Sequence, residues 1–593
     1  MSRKLFLRAE KIALAISLTV LFLATFAAHA EPTGRVQTDT GMVEGLEANG
    51  IASFRGIPYA APPVGNLRWH APEPAKPWQG VLKANAWGPA CMQVDDIAKS
   101  EDCLTLNVWK PAQDRPTPYP VMVWIYGGAL VHGRSAMYPG DALARQGVIV
   151  VSMNYRVGRL GFFAHPALVA EAGSGPVGNY GFMDQIAALK WVQRNIQAFH
   201  GDPKNVTLFG ESAGGGSVLV HLTSPLSRGL FQKAILQSAG LPTPRAQVMP
   251  LTELPEAERI AVDYAHSLGI NGNDAAALAK LRQVPADKLV TGAAAGAEVV
   301  ALATNTRVPG VAGAIRDGKL IGETPDASLA DAHFTKVPVM IGANDADLPL
   351  GAARSKEELF GNFHAYATTA RKLYDPKGDA LMEELQQQVF ADRTMVEPSR
   401  HLAEALLRTS TPVYWYRFSY VIQSRRDTDK GVLHAFEIPF VFGVPELFVG
   451  DMTSPADRAM AKLTSAYWVA FAETGDPNGG DRPRWERFDG ANVFNFTNTG
   501  ARMMADPIKP RLDIWQSVWD EGRYAGYPRT STDKAPRADR ADQADKATSA
   551  EKVEQAYRAQ QPDKTPPADK AAQQADKAPP ADKAQPSDKT PEQ

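Results

Sequence analysis

The sequence predicts an α/β domain, with a large, mostly parallel central sheet flanked by helices. Three observations lead there. Short apolar runs rich in branched residues recur along the chain, and helix-periodic segments alternate with them, which is the pattern of parallel strands joined by crossover helices. In addition, a serine set between glycines, Gly210-Glu211-Ser212-Ala213-Gly214, directly follows one of the runs.

Taken in order, Pro120 to Tyr126 (PVMVWIY) and Gly147 to Asn154 (GVIVVSMN) read as buried strands. Leu189, Val192, Ile196 and Phe199 recur three and four apart, so they line one face of a helix. Asp202-Pro203 ends that element and leads into a third strand, Val206 to Phe209. Val337 to Gly342 is a fourth strand and Val413 to Phe418 a fifth. The stretch from about 245 to 330 is rich in Ala, Gly and Leu with weak strand signal. It predicts an inserted helical region over a pocket. The folded unit runs from 31 to 527.

Both ends differ from this middle. Arg3, Lys4, Arg8 and Lys11 precede an almost wholly apolar run from Ile12 to Ala27, and Ala28-His29-Ala30 supplies small residues at a cleavage site. The run is shorter than the roughly 20 residues a spanning helix needs. Residues 1–30 therefore predict a cleaved export signal, a secreted or periplasmic protein, and no transmembrane anchor after cleavage. From Pro528 to Gln593 the chain is Asp, Lys, Ala, Pro and Gln, with recurring Asp-Lys pairs. Such a segment buries too little surface to offset its ordering entropy and predicts a disordered tail with no assignable partner. An exported chain readily pairs two cysteines as a disulfide. Cys91 and Cys103 are the two present, free thiols being the alternative. The composition is that of an ordinary globular protein, 44% hydrophobic and 22% charged. A formal net charge of -2 leaves no electrostatic footprint for nucleic acid.

The chemistry gathers at Ser212. G-x-S-x-G between a strand and a helix-compatible run, Ser217 to Leu222, fits a nucleophile elbow. A serine hydroxyl needs a base to take its proton, and the base needs a carboxylate to orient it. The best downstream histidine is His434, where a loop enters an apolar stretch. His266, His333, His364 and His401 stand in polar or helical contexts and read as surface residues. After the fourth strand, Asp345 and Asp347 both offer a carboxylate, and the residues alone do not choose between them. An oxyanion hole needs N–H groups from a glycine-rich loop after an earlier strand, and Tyr126-Gly127-Gly128-Ala129-Leu130 fits.

Together these segments resemble the type-B carboxylesterase/lipase family, which includes cholinesterases and bacterial para-nitrobenzyl esterases. The resemblance covers nearly all of residues 34 to 520. It rests on Phe54-Arg55-Gly56-Ile57-Pro58-Tyr59-Ala60, Ser100-Glu101-Asp102-Cys103-Leu104, Asn154-Tyr155-Arg156, Asn179-Tyr180-Gly181, Asp184-Gln185, Phe209 to Gly215 and Gly475-Asp476-Pro477-Asn478. It implies an α/β-hydrolase fold and hydrolysis of uncharged, small-molecule esters, without a metal or organic cofactor. Ser212 matches the family nucleophile and His434 the family histidine. Asp347 falls where the family normally has Glu, a departure that demands closer approach of its loop to His434. Cys91–Cys103 matches the family's first disulfide. The oxyanion hole is expected from Gly128, Ala129 and Ala213, with Ala129 replacing a glycine and narrowing the acyl side. Leu130 stands where many relatives have an aromatic residue. Arg55, Glu101, Arg156 and Asp184 match structural ion-pair positions, and Glu211 is expected to be a buried supporting carboxylate. The short loop Met92 to Asp102 has no aromatic residue, which argues against choline esters. Non-catalytic adhesion proteins share this fold but typically lack the serine. A narrower task on feruloyl, lactone, mycotoxin or polyester substrates is the other alternative.

Overall fold

The computed structural model describes residues 31–240, 249, 251–290, 310–348 and 353–521. The expected export signal and tail lie outside these residues, as do 291–309 of the expected insertion. Among the described residues, no helix is long and apolar enough to cross a membrane.

Among the described residues the central sheet has thirteen strands. Its middle is parallel, in the spatial order Ile149–Met153, Tyr119–Ile125, Gly201–Glu211, Lys233–Gln237, Val339–Asn344, Val413–Ser419 and Asn492–Thr497. Antiparallel strands close both sides, among them Ile51–Pro58 and Thr105–Pro111 on one and Gly500–Ala505 on the other. The five expected strands are all present. Tyr119–Ile125 is buried at every position, as a strand covered on both faces must be. The outer strands mix polar and apolar residues and carried no comparable signal. Asn107 in Thr105–Pro111, for example, is buried because it bonds the Gly56 N–H and the hydroxyls of Ser135 and Ser152.

Two local expectations need correction. Asp202-Pro203 does not precede the third strand but lies within Gly201–Glu211, where the pairing skips between Gly201 and Val206. A proline without an N–H is tolerated at such an irregularity. The insertion is helical as expected, with Leu254–Ser267, Ala275–Gln283, Ala286–Val290 and Pro325–Ala330. It also contains a parallel strand pair, Leu251–Glu253 with Ala314–Arg316, too short for periodicity to reveal.

The insertion is tied down through its backbone. The Arg68 guanidinium donates to the carbonyls of Arg282 and Val284, and that of Arg159 donates to the carbonyl of Leu289. Arg68 is also the partner of Glu101, whereas Arg55 lies over the Trp87 ring. Arg156 and Asp184 form a buried pair with two guanidinium bonds of 2.8 Å and a backbone bond of 3.0 Å. Cys91 and Cys103 are joined as expected. Inside their loop, buried Gln93 donates to the Gly133 carbonyl and accepts the Gly133 N–H, so the loop grips the chain just beyond Gly127–Leu130.

Topology places the site. Tyr119–Ile125 lies between Ile149–Met153, which follows it in the chain, and Gly201–Glu211. The chain leaves to one side and returns to the other, so a crevice opens beyond the carboxyl ends of Tyr119–Ile125 and Gly201–Glu211. The helix Tyr180–Asn195, which carries Asp184, is buried along most of its length beside this sheet. Removing Asp184 leaves the Arg156 charge buried without its partner. Asp184→Ala is expected to destabilise the fold by about 3–5 kcal/mol, read from urea unfolding.

Candidate active site

Two strand ends meet at backbone distance. Ile125 pairs with Gly210 in register. A Cβ on Gly214 would lie 2.1 Å from the Ile125 carbonyl oxygen, and one on Gly210 would lie 2.6 Å from the Gly214 backbone. The glycines of the motif are therefore demanded by contact. Between them Ser212 adopts φ 58, ψ -125, a strained conformation that turns the strand sharply into the helix Ala213–Thr223. The next strand brackets the turn, with the Ser212 N–H donating to the Gln237 carbonyl and the Gly240 N–H to that of Ser212.

The glycine-rich loop lies against this turn. A Cβ on Gly127 would meet Ser212 Cβ and the Glu211 carbonyl at 2.8 Å. Gly128, Ala129 and Leu130 all have left-handed φ values, of 99, 52 and 63. For the two non-glycine residues this costs on the order of 1–2 kcal/mol each. The turn is held by the N–H groups of Val131 and His132 on the Gly128 carbonyl and by that of Gly158 on the Leu130 carbonyl. Leu130 is fully buried in the core. The N–H groups of Gly128, Ala129 and Ala213 donate no hydrogen bond among the described residues.

Of the two candidate carboxylates, Asp347 meets the histidine, with its Oδ1 2.5 Å from His434 Nδ1. Asp345 instead accepts the Val432 N–H at 2.7 Å. His434 Nε2 lies 3.2 Å from Glu211 Oε1, within ion-pair reach but not aligned for a hydrogen bond. The Ser212 hydroxyl makes no hydrogen bond among the described residues. The structure thus brings Asp347 and His434 together and sets the imidazole beside the residue preceding Ser212. His266, His333 and His364 are exposed as expected. His401 is half-buried instead, its Nε2 3.2 Å from Asp326, because its helix packs beside Pro325–Ala330.

Three buried carboxylates, Glu211, Asp347 and Glu437, surround this imidazole. Burial pushes His434 down, but Glu211, Asp347 and Glu437 outweigh it and raise the group to about 9. Burial holds Glu211 well above the ordinary carboxylate range, the facing imidazole opposing it. Glu437 is also raised by burial and opposed by the Asn344 hydrogen bond. The sequence alone assigns Glu437 no part. It accepts from Gln237 at 3.1 Å and Asn344 at 2.7 Å, Trp468 donates to Gln237, and Asn344 also donates to the Leu433 carbonyl. Its spacing, three residues after His434 and just before a helix, was the available signal.

This geometry has known counterparts. The profile of the carboxylesterase family matches residues 32–515. This chain belongs to the carboxylesterase family. Its activity is carboxylic ester hydrolysis, the class shared by its esterase relatives. The family member is 36% identical over 479 residues to fumonisin B1 esterase of Sphingopyxis macrogoltabida, covering 76% of this chain and 84% of that one. It is also 36% identical over 473 residues to para-nitrobenzyl esterase of Bacillus subtilis (strain 168), covering 75% and 90%. A solved structure of a PNB esterase superposes with a TM-score of 0.69 at 32% identity, covering 81% of this carboxylesterase and 99% of that chain. The α/β-hydrolase fold is shared.

The close strand contact makes its own prediction. Gly214→Ala drives a methyl group into the Ile125 carbonyl, so it is expected to cost about 1–3 kcal/mol in chemical denaturation and to lower ester hydrolysis.

Proposed function

We propose that this enzyme hydrolyses small to medium uncharged esters by two-step acyl transfer. Ser212 is the nucleophile, His434 the general base and then acid, and Asp347 the carboxylate that orients it. The observation that carries the reading is the 2.5 Å contact between Asp347 and His434 Nδ1, on an imidazole whose Nε2 faces the Ser212 turn. Nε2 lies 3.2 Å from the carboxylate of Glu211, the residue next to Ser212 in the chain. His434 takes the proton as Oγ bonds to the ester carbonyl carbon, and the resulting oxyanion is met by the N–H groups of Gly128, Ala129 and Ala213. Collapse breaks the carbon–oxygen bond to the alcohol, which leaves with the His434 proton. Water then attacks the acyl-enzyme, gives its proton to His434 and releases the acid and free Ser212. The Ala129 methyl narrows the acyl side.

Residues 1–30 act as a cleaved export signal, which delivers the 31–527 domain and its 528–593 tail to the periplasm or medium. The Cys91–Cys103 disulfide supports this reading, since such bonds persist in oxidising compartments. The relative named for fumonisin B1 favours a second, narrower reading in which the ester is that of a mycotoxin.

The mature protein is expected to hydrolyse para-nitrophenyl acetate, butyrate and octanoate, and Ser212→Ala to abolish turnover and labelling by a fluorophosphonate. An active Ser212→Ala enzyme would reject the serine mechanism, and the chain-length profile sizes the acyl pocket. The pH profile tests the histidine. Only neutral imidazole accepts a proton, and His434 is raised to about 9. Hence kcat/KM is expected to rise with pH through a midpoint above the ordinary imidazole value of about 6.5. Glu211→Gln removes the leading upward influence and should move that limb to lower pH.

A further inference from the structure

We propose that Asp345 is a positioning residue that holds His434 within reach of the short Asp347 side chain; this rests on the triad reading above. The loop carrying His434 has no regular structure of its own until the helix Ile438–Val441. Its place is set by contacts with the end of the strand Val339–Asn344. Asp345 Oδ1 accepts the Val432 N–H at 2.7 Å, the Ala346 N–H donates to the Val432 carbonyl at 3.1 Å, and Asn344 Nδ2 donates to the Leu433 carbonyl at 2.8 Å. These bonds zip 344–346 to 432–433, and the next residues on the two sides are Asp347 and His434.

Asp345 is itself anchored. Its N–H donates to the Phe418 carbonyl at 3.2 Å. The Arg417 guanidinium, paired with Asp506 at 2.7 Å, adds a favourable charge. The half-buried carboxylate thus joins the strand Val413–Ser419 to the histidine loop. The fit allows no side chain opposite: a Cβ on Gly431 would lie 2.8 Å from Asp345 Oδ1 and 2.7 Å from Ala346 Cβ. An aspartate has one rotatable bond fewer than a glutamate, so it cannot follow an imidazole that drifts. The register of the two loops has to supply what side-chain reach does not.

The experiment compares kcat, KM and thermal melting of the full chain and its variants on para-nitrophenyl butyrate. Asp345→Asn keeps the oxygen acceptor and is expected to stay near wild-type kcat. Asp345→Ala is expected to lose roughly tenfold to a hundredfold in kcat with little change in KM. Asp347→Glu should lower kcat in the wild-type background, where the loops are close. The same change should raise kcat in the Asp345→Ala background, where the longer side chain recovers the histidine. Gly431→Ala attacks the clamp from the other side and should respond to Asp347→Glu in the same way, which serves if Asp345→Ala does not fold. Three results would each overturn the proposal: wild-type kcat in Asp345→Ala, an equal loss in Asp345→Asn, or no gain from Asp347→Glu in either background. Asp347→Asn separates the two readings, since full activity there removes the triad itself whatever the Asp345 variants do.

Discussion

Backbone contact between the ends of Tyr119–Ile125 and Gly201–Glu211 is the constraint on which the rest of the site depends. With the Ile125 carbonyl only 2.1 Å from where a Gly214 Cβ would stand, the helix Ala213–Thr223 begins directly against the neighbouring strand. That closeness forces the strained turn at Ser212 and aligns the Ala213 N–H with the elbow. It also seats the Gly127 loop on the same turn. Sequence, strain and donor placement are three views of one packing fact. The two left-handed non-glycine residues, Ala129 and Leu130, persist because the surrounding bonds leave the loop no alternative.

The second organising element is electrostatic. Burying three carboxylates around one imidazole is unfavourable for every charge unless each is hydrogen-bonded or shares a proton. The chain meets this with neutral amides. Gln237 and Asn344 hold Glu437, and Trp468 holds Gln237, so the polar groups behind His434 are tied to the sheet ends. The result is a histidine that holds its proton firmly at rest.

Much of this was legible in the sequence, and for identifiable reasons. The five central strands are apolar on both faces, so their composition betrays them. Ser212, His434 and the glycine loop lie in short motifs whose spacing reflects local geometry. The outer strands escaped notice because their polar residues, such as Asn107, are satisfied by partners far away in the chain. Leu251–Glu253 and Ala314–Arg316 are too short to show a period, and each exists only through the other. The residues alone left Asp345 and Asp347 open, and only the family resemblance chose Asp347, because the choice depends on where the 431–434 loop arrives, which is a long-range fact. Glu437 stands three residues after His434, but its role requires knowing that Gln237 and Asn344 converge on it.

The direct pairing of Lys233–Gln237 with Val339–Asn344 has a consequence for how such proteins diversify. These strands are neighbours in space although a long excursion of chain separates them. Residues can be added, lost or exchanged in that excursion while the two strands keep their register, and the turn at Ser212 and the Asp347 loop stay where they are. The catalytic frame and the excursion are therefore free to evolve at different speeds. The stretch between Gln237 and Val339 can therefore be rewritten while the two strands that border it keep their places in the sheet.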